Sequence, residues 1–124
     1  KETGLPEVDE SKCVACGACT KACPKQIIEL RNKGPRGMRV YVSCVNKDKG
    51  AVARKACKAA CIGCGLCAKK CPVQAIEMRD KHPVWVKDRC VMCLGCLHRC
   101  PKFAIQYCKN TKKHGQYTNP NVKL

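Results

Sequence analysis

Most of the fifteen cysteines fall into three blocks that share one spacing. The middle block reads Cys61-Ile62-Gly63-Cys64-Gly65-Leu66-Cys67-Ala68-Lys69-Lys70-Cys71-Pro72. It repeats downstream as Cys90-Val91-Met92-Cys93-Leu94-Gly95-Cys96-Leu97-His98-Arg99-Cys100-Pro101. An upstream copy reads Cys13-Val14-Ala15-Cys16-Gly17-Ala18-Cys19-Thr20-Lys21-Ala22-Cys23-Pro24. Each block follows C-x2-C-x2-C-x3-C-P, a run in which three thiolates hold one 4Fe–4S cluster and the fourth reaches across to another. Iron in a cuboidal sulfide cluster is a soft, tetrahedral centre and calls for thiolates. The spacing suits zinc patterns poorly. The chemistry it implies is one-electron transfer, with three 4Fe–4S clusters expected.

The interval from Cys71 to Cys90 leaves room for one strand–turn–strand, which pairs copies two and three in a compact two-cluster arrangement. One cluster then takes Cys61, Cys64, Cys67 and Cys100, and its neighbour takes Cys71, Cys90, Cys93 and Cys96. Exchange of the fourth ligand couples metal loading to folding. In copy one, Cys13, Cys16 and Cys19 need a fourth thiolate. Cys57, Cys44 and Cys23 are the candidates, and Cys57 is favoured. A rival scheme joins Cys13, Cys16 and Cys19 with Cys71, and Cys61, Cys64 and Cys67 with Cys23; it must absorb a long insertion and strand copy three. Of Cys23, Cys44 and Cys108, one or two are expected to be buried thiols. His82, His98 and His114 read as surface or packing residues, and Trp85 and Phe103 as core.

The elements that must position these thiolates repeat with them. Cys13 to Leu30 aligns with Cys61 to Met78 and with Cys90 to Tyr107, one supersecondary unit used three times. Each unit reads as a cluster loop, a short helix after the proline and a β-strand, with Pro24, Pro72 and Pro101 opening the helices. Gly17 and Gly65 let the loop backbone approach the sulfides and offer N–H donors to sulfur; in copy three Leu94 takes that place. The insertion 31–60 reads as a turn at 32–37, a strand at 38–42 and a helix across Ala51 to Cys61, on which Cys57 and Cys61 share a face. Residues 79–83 read as a turn and 84–86 as a strand. The lead-in, Lys1 to Ser11, is irregular, and the polar, basic tail either wraps the domain or stays mobile, the usual fate of such ends.

With 124 residues, one Trp, one Phe and three Tyr, the chain has a thin aromatic core and needs staples. Disulfides are the ordinary reading of so many cysteines, but the count is odd and no secretory signal is present. A reducing, anaerobic, cytoplasmic setting follows. No run approaches the ~18 apolar residues that span a membrane. The chain opens on Lys1 rather than Met, as a trimmed piece of something longer would, so a membrane anchor is expected outside it if one exists. Its formal net charge is +16, falling to roughly +10 once three oxidised clusters add about −2 each. A basic module of this kind suits an acidic redox partner such as a ferredoxin or flavodoxin; the plainer reading is solubility. No nucleophile–base pair or phosphate-binding Gly loop is present, so the chain reads as an electron carrier or subunit and not an enzyme. The competing class is a basic zinc or iron–sulfur module that binds nucleic acid; charge favours it, whereas the motif spacing and the few aromatics do not.

Beyond the motif, residues from about Pro6 to Met78 resemble the ferredoxin domain of the B subunit of the Rnf complex. The resemblance is carried by Val8-Asp9-Glu10-Ser11-Lys12-Cys13, by Val40-Tyr41-Val42-Ser43-Cys44 with Asn46-Lys47-Asp48-Lys49-Gly50, and by Arg54-Lys55-Ala56-Cys57-Lys58-Ala59-Ala60-Cys61-Ile62-Gly63-Cys64. It implies electron entry from reduced ferredoxin into a membrane complex that reduces NAD, at its cytoplasmic face. Residues from about 61 to 124 resemble the flavodoxin-linked ferredoxins, through Pro83-Val84-Trp85, Cys93-Leu94-Gly95-Cys96-Leu97-His98, Ile105-Gln106-Tyr107, Thr111-Lys112-Lys113, Gly115-Gln116-Tyr117 and Asn119-Pro120. The expected fold is α+β, a ferredoxin-like βαβ repeat with an additional N-terminal cluster-binding unit. Residues 1–60 form that unit with its strand–helix insertion, 61–108 the two-cluster domain and 109–124 the tail.

Overall fold

The computed structural model describes residues 8–108 and 110–121. The start of the lead-in, Lys109 and the end of the tail lie outside the described residues. Two compact units divide between Asn32 and Lys33.

The first unit holds copy one. Its helix α1 spans Ala18–Ala22 and starts from Gly17, whose φ of 77° is left-handed. Every copy has the same device. Helix α3, Leu66–Lys69, starts from Gly65 at φ 75°, and helix α4, Gly95–His98, from Leu94 at φ 56°. The short helix therefore precedes the Cys-Pro step instead of following it, which corrects the sequence expectation. Proline disfavours the α region in the residue before it, so each helix stops short of the fourth cysteine. A tight turn follows, with Gln26, Gln74 and Phe103 at φ 50°, 50° and 51°. Their N–H groups donate to the carbonyls of Cys23, Cys71 and Cys100 at 3.1 Å in each case. Residues 27–30 form no strand in copy one, again unlike the expectation, since this short unit offers them no second strand to pair with.

The second unit holds everything from Lys33 onward. Strand β1, Tyr41–Val42, pairs antiparallel with β4, Ile105–Gln106, in the register Tyr41↔Gln106 and Val42↔Ile105. Ser43 N–H extends the ladder to the Ala104 carbonyl at 2.8 Å. Strands β2, Ile76–Arg79, and β3, His82–Trp85, form a hairpin. Its turn is only Asp80 and Lys81, both at positive φ (47° and 63°), the pattern that matches strand twist in two-residue hairpins. The strand thus begins at His82, two residues before the sequence expectation.

Sequence reading places a boundary after residue 60, whereas the compact units divide at 32. Pairing of β1 with β4 is the reason, because it draws the insertion into the second unit. Helix α2, Gly50–Ala56, ends before Cys57, which is extended at φ −147°. Cys57 and Cys61 therefore share no helical face, contrary to expectation; the chain must leave the helix to enter the cysteine loop. The core joins Val40, Val42, Ile76, Leu97 and Ile105 with Cys67 and Cys96, while Trp85 and Phe103 pack against it. Leu97 and Ile105 are each 1 % exposed and are the largest fully buried side chains. The thiols are part of the interior.

Candidate metal centres

Copy two builds its loop from two left-handed glycines, Gly63 at φ 67° and Gly65 at φ 75°. A Cβ on Gly63 would stand 2.5 Å from the Lys81 carbonyl oxygen, so the hairpin tip lies directly against the loop. On the other side, a Cβ on Gly50 would stand 2.3 Å from the Ile62 carbonyl oxygen. Clamped between the hairpin and α2, the loop turns Cys61, Cys64 and Cys67 to one side. Cys100 arrives there from copy three. The four thiols line a hollow open to solvent, walled by Val42, Met78 and Ile105.

Electrostatics follow from that crowding. Burial pushes the Cys67 thiol up to about 11, and the neighbouring Cys61, Cys64 and Cys100 push the same way. Cys61 is raised by burial, opposed by the Gly63 N–H and reinforced by Cys44, Cys100 and Cys64. In copy three, burial pushes Cys96 up to about 12, with Cys90, Cys93 and Cys67 adding. Clustered thiols become thiolates together only around a compensating positive centre.

The chain just before Cys71 meets copy three at Lys70. The Lys70 carbonyl and Cys93 Sγ flank the same point, 3.8 and 3.7 Å from where a Cβ on Gly95 would stand. Cys71 Sγ accepts the Ala75 N–H at 3.2 Å, and Cys100 Sγ accepts the Ala104 N–H at 3.3 Å. Copy one repeats this socket, where the Ile27 N–H is the main cause that lowers the Cys23 thiol, with Lys25, Gln26 and Ile28 helping. N–H donors stabilise thiolate sulfur and tune bound clusters.

These features fit 4Fe–4S clusters on three counts. The donors are all sulfur, the fourth cysteine of each copy sits in an N–H socket, and the copy-two thiols ring a hollow. Tetrahedral zinc would draw four sulfurs to within roughly 3.8 Å of each other, given its ~2.3 Å bonds. Among the described residues, no three His, Cys, Asp or Glu side chains converge on a single-ion site. All fifteen cysteines are free thiols.

Cys13, Cys16 and Cys19 are exposed within the first unit, and Cys57 is exposed within the second. Cys44 is half-buried beside Cys61. Cys108 is half-buried under Thr111, whose Oγ1 accepts the N–H groups of Tyr107 and Cys108 at 3.0 and 2.9 Å. Sequence reading missed two participants. One is Thr111. The other is Gln116, which donates to carbonyls in copy three. Both stand in the tail segments that carry the flavodoxin-linked resemblance, the one signal that marked them. Among the described residues, no helix is long and apolar enough to cross a membrane.

Residues 60–105 match the family described as a 4Fe-4S dicluster domain, and residues 6–29 a 4Fe-4S binding domain. The chain is 43 % identical over 114 residues to the B subunit of the Na(+)-translocating ferredoxin:NAD(+) oxidoreductase complex of Acetobacterium woodii. That match takes in 89 % of this chain and 33 % of the relative. Over 27 residues it is 59 % identical to the B subunit of an ion-translocating oxidoreductase complex of Methanosarcina acetivorans, covering 22 % of this chain and 10 % of that protein. The chain thus spans a third or less of the length of these curated relatives.

Proposed function

We propose, from the premise that the chain is an electron-transfer iron–sulfur protein homologous to these B subunits, that it binds three 4Fe–4S clusters and passes single electrons between redox partners. The reading rests above all on the hollow ringed by Cys61, Cys64, Cys67 and Cys100, because its four thiols come from two different copies of the motif. Cys61, Cys64, Cys67 and Cys100 hold one cluster. Cys71, Cys90, Cys93 and Cys96 hold the next. Cys13, Cys16 and Cys19 hold the third, and on the sequence pattern alone its fourth thiolate is Cys57, with Cys44 and Cys23 as alternatives.

Bound 4Fe–4S clusters supply one-electron redox chemistry at potentials set by burial and hydrogen bonds to sulfur. The chain's own residues do the rest. Val42, Met78 and Ile105 exclude water from one wall of the hollow. Ala75 and Ala104 N–H groups stabilise the thiolates of Cys71 and Cys100. Cys67 stands close enough to Cys96 to raise its pKa, so the two thiol groups are neighbours.

The partners proposed are an acidic ferredoxin or flavodoxin, drawn by the net charge of +16, and the other subunits of a larger oxidoreductase. The curated relative's name points to ferredoxin and NAD as the two ends of that traffic, with this chain carrying electrons and transforming no substrate itself. Its place is the cytoplasmic side, at the face of a membrane complex. The nucleic-acid alternative has no such support. Iron counting on anaerobically purified protein tests the proposal: it predicts a brown protein bleached by dithionite, with about 12 iron per chain. Colourless, zinc-loaded protein would contradict it.

A further inference from the structure

Gln116 and Tyr117 of the tail fold back onto copy three. Gln116 reaches back with its side-chain amide, and Nε2 donates to the Leu97 carbonyl at 2.6 Å and to the Cys100 carbonyl at 2.7 Å. One residue on, the Tyr117 N–H donates to His98 Nδ1 at 2.9 Å. The Tyr117 ring stands edge-on to that imidazole, with centroids 6.5 Å apart and planes at 84°. All these partners belong to the end of α4 or to the cysteine just beyond it.

A helix end leaves carbonyls without intrahelical donors, and a helix as short as α4 has little else to hold it. The Cys100 carbonyl also accepts the Phe103 N–H at 3.1 Å, and its Sγ accepts the Ala104 N–H at 3.3 Å. Gln116 therefore completes a set of contacts that fixes Cys100 on its backbone as well as at its sulfur. An amide suits the task because its two N–H groups can serve two carbonyls at once; a carboxylate of the same shape can serve neither. The contact spans 16 and 19 residues of chain, so it ties the tail to the cysteine and is not a local turn.

We infer that Gln116 is a positioning residue for Cys100, holding in place the thiolate that copy three lends to the cluster of copy two. The inference rests on the ligand assignment proposed above. Cys100 is held at both its carbonyl and, through Leu97, the turn before it, so loss of Gln116 falls mainly on the cluster at Cys61, Cys64 and Cys67 and less on the one at Cys90, Cys93 and Cys96, whose Cys96 neighbours Leu97 on α4.

The test uses the full, cluster-loaded chain, challenged anaerobically with an iron chelator while the paramagnetic signal of each reduced cluster is followed. In Gln116→Ala and Gln116→Glu the copy-two signal should shift in line shape and decay about tenfold faster, the size expected from two neutral hydrogen bonds. The copy-three signal should be accelerated by a clearly smaller factor, since only the Leu97 contact bears on α4 and Cys96. Tyr117→Ala removes the ring but keeps the backbone donor and Gln116, and should leave both rates near parental. Equal acceleration of both clusters in the Gln116 variants would overturn the inference, as would parental behaviour of the copy-two signal. Cys100→Ser separates the two levels. If it alters the copy-two signal and the Gln116 variants do not, the assignment stands and the inference falls; if it alters the copy-three signal instead, both fall.

Discussion

Copy one and copies two and three use one motif to different depths. Locally they agree: Ala15, Gly63 and Met92 share one left-handed position at φ 56°, 67° and 54°. Gly17, Gly65 and Leu94 share the next, and each fourth cysteine sits in an N–H socket. They differ in burial. Helix α1 has no buried residue, whereas Cys67 on α3 and Cys96 on α4 are each 8 % exposed and belong to the core. Loop shape is thus written in a dozen residues, but an interior appears only where a second copy supplies the opposite wall.

The sharpest way to break this comparison is to take the iron away. The second unit has few large buried side chains and an interior of thiols, so chelation under reducing conditions should abolish its cooperative thermal unfolding. An unchanged melting curve after complete iron removal would show that the apolar core suffices alone. Next in size is Ile105→Ala. This side chain is fully buried against the hollow, and its loss should cost roughly 2–5 kcal/mol, lowering the melting temperature by about 10 °C or more. Leu30→Ala, at an exposed position in copy one, should shift melting by no more than about 2 °C. Equal shifts would erase the distinction.

A smaller contrast concerns the loops themselves. Gly63→Ala forces a Cβ against the Lys81 carbonyl at a left-handed position and should destabilise by about 1–3 kcal/mol, read as a lower melting temperature. Ala15→Gly at the matching place in copy one relieves a left-handed alanine. It should change stability by less than about 1 kcal/mol. A modest effect is also expected at Thr111→Ala, which removes the hydroxyl that accepts the Tyr107 and Cys108 N–H groups. A loss of about 1 kcal/mol in melting experiments would match an ordinary side-chain hydrogen bond.

Much of the candidate site was legible because cysteine spacing is a one-dimensional code. The grouping of Cys61, Cys64 and Cys67, and the loop glycines Gly17 and Gly65, could be read without coordinates. The short helices lie before Pro24, Pro72 and Pro101 and not after them, as the sequence alone suggests. Proline's restriction on the preceding cysteine prevails here over its preference for a first helical turn. Pairing of β1 with β4 was illegible in a strand of two residues, since it joins segments more than sixty residues apart. That omission carried the domain boundary with it. Gln116 was missed for a similar reason: a polar tail gives no periodic signal, and its role exists only through the Leu97 and Cys100 carbonyls.

The central claim is that copies two and three exchange their fourth thiolates. Cys71→Ala tests it most directly, with the paramagnetic signals of the reduced protein assigned beforehand through Cys64→Ala and Cys93→Ala. The account predicts that the Cys93-dependent signal is altered or lost while the Cys64-dependent signal persists. Loss of the Cys64-dependent signal with the other intact would contradict it.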